Sequence, residues 1–285
     1  MDYIDLHTHT TYSDGTYTPR ELMAYATEKN LKAIAVTDHD TVDSYDESDF
    51  WAKRYGIELI SGVEIDSIYN GIEIHILGLF IDPTNNVLLT LLNDMKKMRY
   101  ERDAAIIEIL NEDGINITLE DIKAVLGDSY AGRPLNRPLF ARFLVENGYY
   151  ESISDAMRKY LGRGKRADVP RPLPEPGVVF DVIRLAGGIP FLAHPVQYRI
   201  DFLKQEAMIE ELKACGLAGI EAIYSENSPE DTERYLQLAK KHSLLITGGS
   251  DFHGSVKPGL DLGVGRGDLW VGYEVLEKLK KFMSK

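Results

Sequence analysis

Cysteine is almost absent: Cys215 is the one cysteine in 285 residues. An internal disulfide is therefore excluded, and so is a cysteine-rich zinc site. Cys215 sits in a helix-like stretch, Leu212-Lys213-Ala214-Cys215-Gly216, and reads as a packing residue. Long apolar runs are absent too, and the start Met1-Asp2-Tyr3-Ile4-Asp5 lacks the basic and apolar blocks of a secretory signal. A soluble, cytoplasmic protein with no membrane partner is expected. Basic residues are in deficit, since 32 Lys and Arg face 45 Asp and Glu for a formal net charge of −13. That excludes the broad basic face expected of a binder of long duplex nucleic acid. A small anionic substrate remains compatible, because bound cations and a few local arginines reverse the sign of a pocket.

Short apolar runs alternate with helix-like segments, the pattern of a parallel sheet with crossover helices. Strands are expected near Tyr3–Leu6, Ala33–Thr37, Glu58–Val63, Glu73–Phe80, Pro190–Ala193, Gly219–Ile223 and Leu244–Gly248. Helices are expected at about Pro19–Lys29, Val42–Tyr55, Ile200–Ala214, Pro229–His242 and Tyr273–Phe282. Thr18-Pro19-Arg20-Glu21 has a capping residue, a first-turn proline and a glutamate at the third position, which together start a helix. The alternation breaks between about Asp82 and Val169, where helices are expected near Asn85–Asp113, Leu119–Leu126, Pro138–Asn147 and Ile153–Tyr160. That stretch is too long for a loop. The chain thus divides into a main domain of residues 1–81 and 170–285 and a helical insertion of residues 82–169.

Six of the seven histidines accompany predicted strands, most of them at the C-terminal end. His7 and His9 follow the first strand and His39 the second; Glu64 follows the third, His75 lies in the fourth and His194 ends the fifth. Asp251 and His253 end the last, while Asp14 sits in the loop after the first pair. Parallel-stranded barrels build their active sites at those ends. Strand pleating aims residues i and i+2 to one face, so His7 with His9, and Asp251 with His253, reach inward together. Taken singly, each has an ordinary explanation. Asp14 precedes Gly15 as in a turn. Asp38 and Asp40 are placed to cap the next helix, with Asp38 also a supporting partner of the site. His242 lies at a helix C-terminus, where positive charge is favoured. Jointly, the placement of nine His, Asp and Glu side chains points to one shared metal site.

In chain order, His7-x-His9, Asp14, Asp38-His39, Glu64, His75, His194-Pro195 and Asp251-x-His253 resemble the PHP family, named for polymerase and histidinol phosphatase. The resemblance covers nearly the whole chain. It implies an α/β fold, a distorted (β/α)7 TIM-like barrel carrying a helical insertion subdomain. It also implies two to three divalent metal ions: one on His7, His9, Glu64 and Asp251, a second on Glu64, His75 and His194, and a third on Asp14, His39 and His253. Mixed imidazole and carboxylate ligation suits Mn²⁺, Zn²⁺ or Fe²⁺. Such a cluster supplies a metal-bridging hydroxide that attacks a phosphate ester without a separate protein base.

Residues 131–145 resemble the Arg-x-His-x-Ala-Arg stretch of the branch that dephosphorylates nucleotides and short oligonucleotides, and residues 160–165 resemble that branch as well. Arg137 and Lys165 are the expected phosphate contacts, with Arg133 and Arg163 beside them, because guanidinium forks match phosphate geometry. Leu139 stands where that branch often has His, and Gln197 where Arg often follows His-Pro; Arg199 is the expected substitute for the latter. The leading expectation is a metal-dependent phosphoesterase hydrolysing small phosphomonoesters, nucleotides such as AMP or a 3′,5′-bisphosphate, or short oligonucleotides. A histidinol-phosphate phosphatase is the first alternative, and a non-catalytic metal-binding module the second. An amidohydrolase on C–N bonds would want a lysine at a strand end, and none is present there.

Overall fold

The structure is a computed structural model that describes residues 2–126, 135 and 137–284. It contains two compact units, Met1–Leu92 with Leu173–Lys285, and Asn93–Pro172.

The first unit is built on seven strands: β1 (Ile4–Thr8), β2 (Ala33–Val36), β3 (Glu58–Tyr69), β4 (Ile72–Leu79), β5 (Ile189–Leu192), β6 (Gly219–Tyr224) and β7 (Leu245–Gly249). They form one sheet in chain order. The segment after β7 returns to β1, where the Asp251 amide donates to the His7 carbonyl and the His9 amide to the Phe252 carbonyl, both at 2.9 Å. This rolls the sheet into a distorted TIM-like barrel. Gly249 permits the close approach, since a Cβ there would stand 2.5 Å from the His7 backbone nitrogen.

One strand departs from the parallel pattern. β4 runs antiparallel to both β3 and β5. β3 extends to Tyr69, well past the expected Val63, and reverses through Asn70 and Gly71, both at positive φ (48° and 78°), before Tyr69 pairs with Ile72. Two consecutive left-handed residues make the tight turn that matches strand twist. An Asn-Gly pair between two alternating segments was the sequence signal for it.

Helices α1 (Pro19–Glu28), α2 (Tyr45–Tyr55), α7 (Pro176–Leu185), α8 (Phe202–Ala214), α9 (Pro229–Lys241) and α10 (Tyr273–Met283) complete this unit. Thr18 and Glu21 form the expected reciprocal cap of α1, and Ser228 with Asp231 does the same for α9. α2 starts three residues later than expected, on Ser44, so neither Asp38 nor Asp40 caps it. Helix α7 has no counterpart in the sequence reading; its run Val178-Val179-Phe180-Asp181-Val182-Ile183 is rich in β-branched residues, and Pro176 at its first turn begins it. Leu22, Met23 and Ala26 of α1 pack on Ile34 and Val36 of β2, all buried. Each large side chain there contributes about 1.5–3 kcal/mol. Cys215 is exposed at the end of α8, so the packing role expected of it is corrected.

Helix α3 (Asn86–Glu112) begins in the first unit and continues into the second, which is helical and also holds α4 (Leu119–Leu126), α5 (Arg137–Glu146) and α6 (Ile153–Ala156), the last continuing into a π-helical turn, Met157–Leu161. Its core gathers Ile106, Leu110, Ile122, Phe140, Leu144 and Leu161. Among the described residues no helix is long and apolar enough to cross a membrane.

Candidate metal centre

β1 is buried along its whole length and carries His7 toward the barrel axis, with His9 one residue beyond its end. The loop after β1 carries Asp14, the segment after β2 carries His39, and β3 carries Glu64. His75 comes from the first half of β4. Because β4 is reversed, that part of the strand lies at the same rim as the C-terminal ends of its neighbours, where Ile76 pairs with Leu192 near the end of β5. His194 follows β5, and Asp251 and His253 follow β7.

Glu64 is the hub. One carboxylate oxygen, Oε2, lies 3.2 Å from His7 Nε2, His9 Nε2 and His39 Nδ1; the other, Oε1, lies 2.9 Å from His75 Nδ1 and His194 Nε2. Asp251 Oδ1 stands 3.2 Å from His253 Nδ1, 3.3 Å from His9 Nε2 and 3.6 Å from His7 Nε2. Asp14 Oδ1 is 3.0 Å from His253 Nε2, and its Oδ2 4.0 Å from His39 Nε2. All nine residues singled out in the sequence therefore converge. Among the described residues, the groups with donor atoms within 4.8 Å of one another include His9, Asp14, His39 and His253; His7, His194 and Asp251; His7, His9 and Glu64; His39, Glu64 and His75; and Asp66, Glu73 and His75. These groups overlap, so side chains are shared more widely than the three-way partition implied by family resemblance.

The donor set suits cations. His9 Nε2 and His39 Nδ1 are buried and make no hydrogen bond, although each is 3.2 Å from a Glu64 oxygen. Buried polar atoms are normally paired, and a bound cation would give these two nitrogens the partner they lack.

Burial favours the neutral form of Glu64, Asp251, His75 and His194, yet charge pairing overrides it at the first three. At Glu64, burial pushes the carboxyl up, and the surrounding His39, His7 and His75 outweigh it and hold the group well below its ordinary range. Asp251 is likewise held well below, with Lys257, His7 and His253 overcoming burial. At His75 burial lowers the imidazole, but Asp66 and Glu64 raise it to about 10. His194 goes the other way, because burial dominates. At Glu64 and Asp251 the surroundings thus favour the ionised form, which is the form that ligates a cation.

Supporting residues fix this arrangement. Asp38 accepts from the Thr10 amide and hydroxyl and from Ser13 Oγ, all at 2.7 Å, and from Ser44 Oγ at 2.6 Å, pinning the loop that holds Asp14. Asp40, at φ +52°, accepts the Asp66 amide instead of capping a helix. His194 (φ +26°) and Asp251 (φ +57°) also occupy the left-handed region, a strain of order 1–3 kcal/mol each. His242 caps α9 and pairs with Glu206 at 3.0 Å, away from the centre.

Three nearby residues escaped the sequence reading. Asp66 Oδ1 lies 3.3 Å from His39 Nδ1 and 3.6 Å from His75 Nε2; its spacing of two from Glu64 was the available signal. Glu221, fully buried on the apolar strand β6, lies 3.0 Å from His7 Nδ1. A carboxylate inside such a strand requires partners. Lys257 pairs with Asp251 Oδ2, which also accepts from Tyr224 at 2.9 Å. Nothing in the surrounding loop sequence marked Lys257 out.

Of the expected phosphate contacts, Arg199 lies in the first unit, exposed and in a left-handed conformation just after the turn that follows His194. Gln197 donates to Tyr224 Oη. In the second unit Arg137 pairs with Asp168 at 3.5 Å, while Arg163 and Lys165 are exposed. Leu139 is a core residue there. Arg133 lies outside the described residues.

The PHP-domain pattern matches residues 5–162. The chain is 35% identical to a 5′-3′ exoribonuclease of Haemophilus influenzae, over 87% of this chain and 89% of that protein. It is 32% identical to the 3′,5′-nucleoside bisphosphate phosphatase of Chromobacterium violaceum, over 92% and 91% respectively. A solved structure from Bifidobacterium adolescentis superposes with a TM-score of 0.85 at 32% identity, covering 97% of this chain and 95% of that one.

Proposed function

We propose that this chain, which belongs to the PHP-domain family and is a metal-dependent phosphoesterase, acts on phosphomonoesters of nucleotides or on the ends of short oligonucleotides. The observation that carries the reading is Glu64, a fully buried carboxylate whose two oxygens face five imidazoles contributed by four separate segments. Two or three divalent ions, Mn²⁺, Zn²⁺ or Fe²⁺, held there would lower the pKa of a bound water and neutralise phosphoryl oxygens. His7, His9, Glu64 and Asp251 form one proposed ligand set, Glu64, His75 and His194 a second, and Asp14, His39 and His253 a third. Glu64 is shared between the first two proposed sets, its Oε2 facing His7 and His9 and its Oε1 facing His75 and His194, while His39 of the third set also lies 3.2 Å from Oε2.

The substrate class follows from chemistry and kinship together. Arg199, exposed beside the His194 turn, is a proposed fork for a phosphate oxygen. Arg137, Lys165, Arg163 and Arg133 are proposed contacts from residues 82–169, read as an insertion that serves substrate. One relative is named as a 5′-3′ exoribonuclease and another as a 3′,5′-nucleoside bisphosphate phosphatase, which supports an RNA end or a nucleotide as the substrate class. Long duplex substrates are disfavoured by the net charge of −13.

The test is a hydrolysis panel on Mn²⁺-loaded protein: nucleoside monophosphates, a 3′,5′-bisphosphate, short 5′-phosphorylated RNA and histidinol phosphate. Preference for a nucleotide or RNA end is expected. A preference for histidinol phosphate would overturn the substrate assignment, and inertness of fully metal-loaded protein toward every phosphate ester would overturn the reading as a whole.

A further inference from the structure

We propose that Glu221 is a positioning residue that selects which ring nitrogen of His7 is free to bind a metal, and that it ties this choice to the backbone of His194. The inference rests on the reading of His7 as a metal ligand. Glu221 lies on β6 with no solvent exposure. Its Oε1 stands 3.0 Å from His7 Nδ1, and its Oε2 accepts the His194 backbone N–H at 2.7 Å. On the opposite side of the same imidazole, His7 Nε2 faces Glu64 Oε2 at 3.2 Å and Asp251 Oδ1 at 3.6 Å.

Glu221 accepts the His194 amide through Oε2, and its Oε1 is the proposed acceptor for a hydrogen bond donated by His7 Nδ1. Nε2, the nitrogen that faces Glu64 and Asp251, is then the one left to bind a metal. A hydrogen bond at one ring nitrogen in this way sets the tautomer and orientation of a metal-binding histidine. The second oxygen of the same carboxylate holds the amide of His194, whose φ of +26° is strained and needs a fixed partner. One side chain thereby governs the ring of one proposed ligand and the main chain of another, 187 residues apart in sequence. Two acceptor contacts to two fixed donors also account for a carboxylate on an otherwise apolar strand.

The isosteric change Glu221→Gln separates this role from packing. The His194 amide can only donate, so the glutamine oxygen must turn to it, which places the glutamine NH₂ against His7 Nδ1. His7 then relieves the clash by accepting at Nδ1 and moving its proton to Nε2, where it can no longer ligate. Shape and volume are unchanged, so a purely structural role predicts little effect.

The experiment uses the full chain with ¹⁵N-labelled histidine, loaded with Zn²⁺, and reads the ring nitrogens by long-range ¹H–¹⁵N NMR; a His7→Gln sample assigns the signal. Wild-type protein is expected to show His7 coordinated through Nε2 and protonated at Nδ1. Glu221→Gln is expected to lose that pattern and to release zinc to a competing chelator with about 10–100-fold weaker affinity, while the melting of metal-free protein stays near wild type. Retention of the wild-type His7 signals and zinc affinity in Glu221→Gln would overturn the inference. So would wild-type His7 bound through Nδ1, or uncoordinated in a protein that holds zinc, and this second measurement decides the matter if the variant does not fold. Failure of wild-type protein to take up zinc, manganese or iron would instead remove the metal reading, and the inference with it.

Discussion

Replacing Asp38 with alanine should both loosen the fold and empty part of the metal centre. The side chain is buried and accepts four hydrogen bonds, from the Thr10 amide, Thr10 Oγ1, Ser13 Oγ and Ser44 Oγ. Hydrogen bonds to a charged group are worth about 1.5–3 kcal/mol each when removed singly. They do not add fully, because Ser13 is half-buried and can turn to water, and hydroxyls reorient. A net cost of about 3–5 kcal/mol follows from donors left without an acceptor at about 1–3 kcal/mol each, less what reorientation recovers. At about 2–4 °C per kcal/mol for a unit of this size, melting should fall by roughly 6–20 °C. Asp38→Asn keeps one acceptor for the Thr10 amide and should cost about 1–2 kcal/mol. Thr10 and Ser13 belong to the loop bearing Asp14, so the group of His9, Asp14, His39 and His253 should lose its metal first. Thermal melts followed by circular dichroism, with metal content by mass spectrometry, measure both effects. An Asp38→Ala protein that melts within 2 °C of wild type and holds the same metal content would refute the reasoning.

Glu64→Ala should lose metal and at least about a hundredfold in kcat on any accepted phosphate ester, since metal polarisation of the phosphoryl group is worth several kcal/mol; unchanged turnover would contradict the hub role. Chelation should abolish hydrolysis and lower the melting temperature, and readdition of Mn²⁺ to a hundred times its dissociation constant should restore about 2.7 kcal/mol of stability, read as a shift in the melt. Asp261 receives hydrogen bonds from Lys29 and Tyr25, which overcome burial and hold its carboxyl below the usual value of 3.8. A lowered folded-state pKa stabilises above the unfolded value and is lost as pH falls through the folded one. Asp261→Asn should therefore destabilise by under about 1 kcal/mol at pH 7, given its partial exposure, and urea titrations should show the difference vanishing on acidification below the unfolded value near 3.8.

The centre was legible because its chemistry is concentrated in few residue types. His7, His9, His39, His194 and His253 fall at strand ends, and period-two spacing sets the inward pairs, so local sequence was enough to single them out. The direction of β4 was less legible. Apolar alternation reads the same along a strand in either direction, and only Asn70-Gly71 distinguished a hairpin from a crossover. Helix α7 was hidden because Val179, Val182 and Ile183 suit strands as readily as helices, and tertiary packing decided between them. Glu221 and Lys257 depend on contacts with residues far away or in an irregular loop, which no periodicity encodes. Cys215 was misjudged for a related reason, since helix register fixes which face the last turn exposes.

The reversed hairpin also constrains how this protein can change its length. Tyr69 and Ile72 are held opposite each other by a two-residue turn, and this register places His75 opposite Asp66 and Leu77 opposite Glu64. Adding a single residue at Asn70-Gly71 and carrying the slip along β4 would flip its side chains to the other face. His75 would then leave Glu64, and Ile74 or Ile76 would occupy the rim in its place. The exposed tip of this hairpin is thus a ruler for the centre, and insertions there are tolerable only in steps that preserve the pleat.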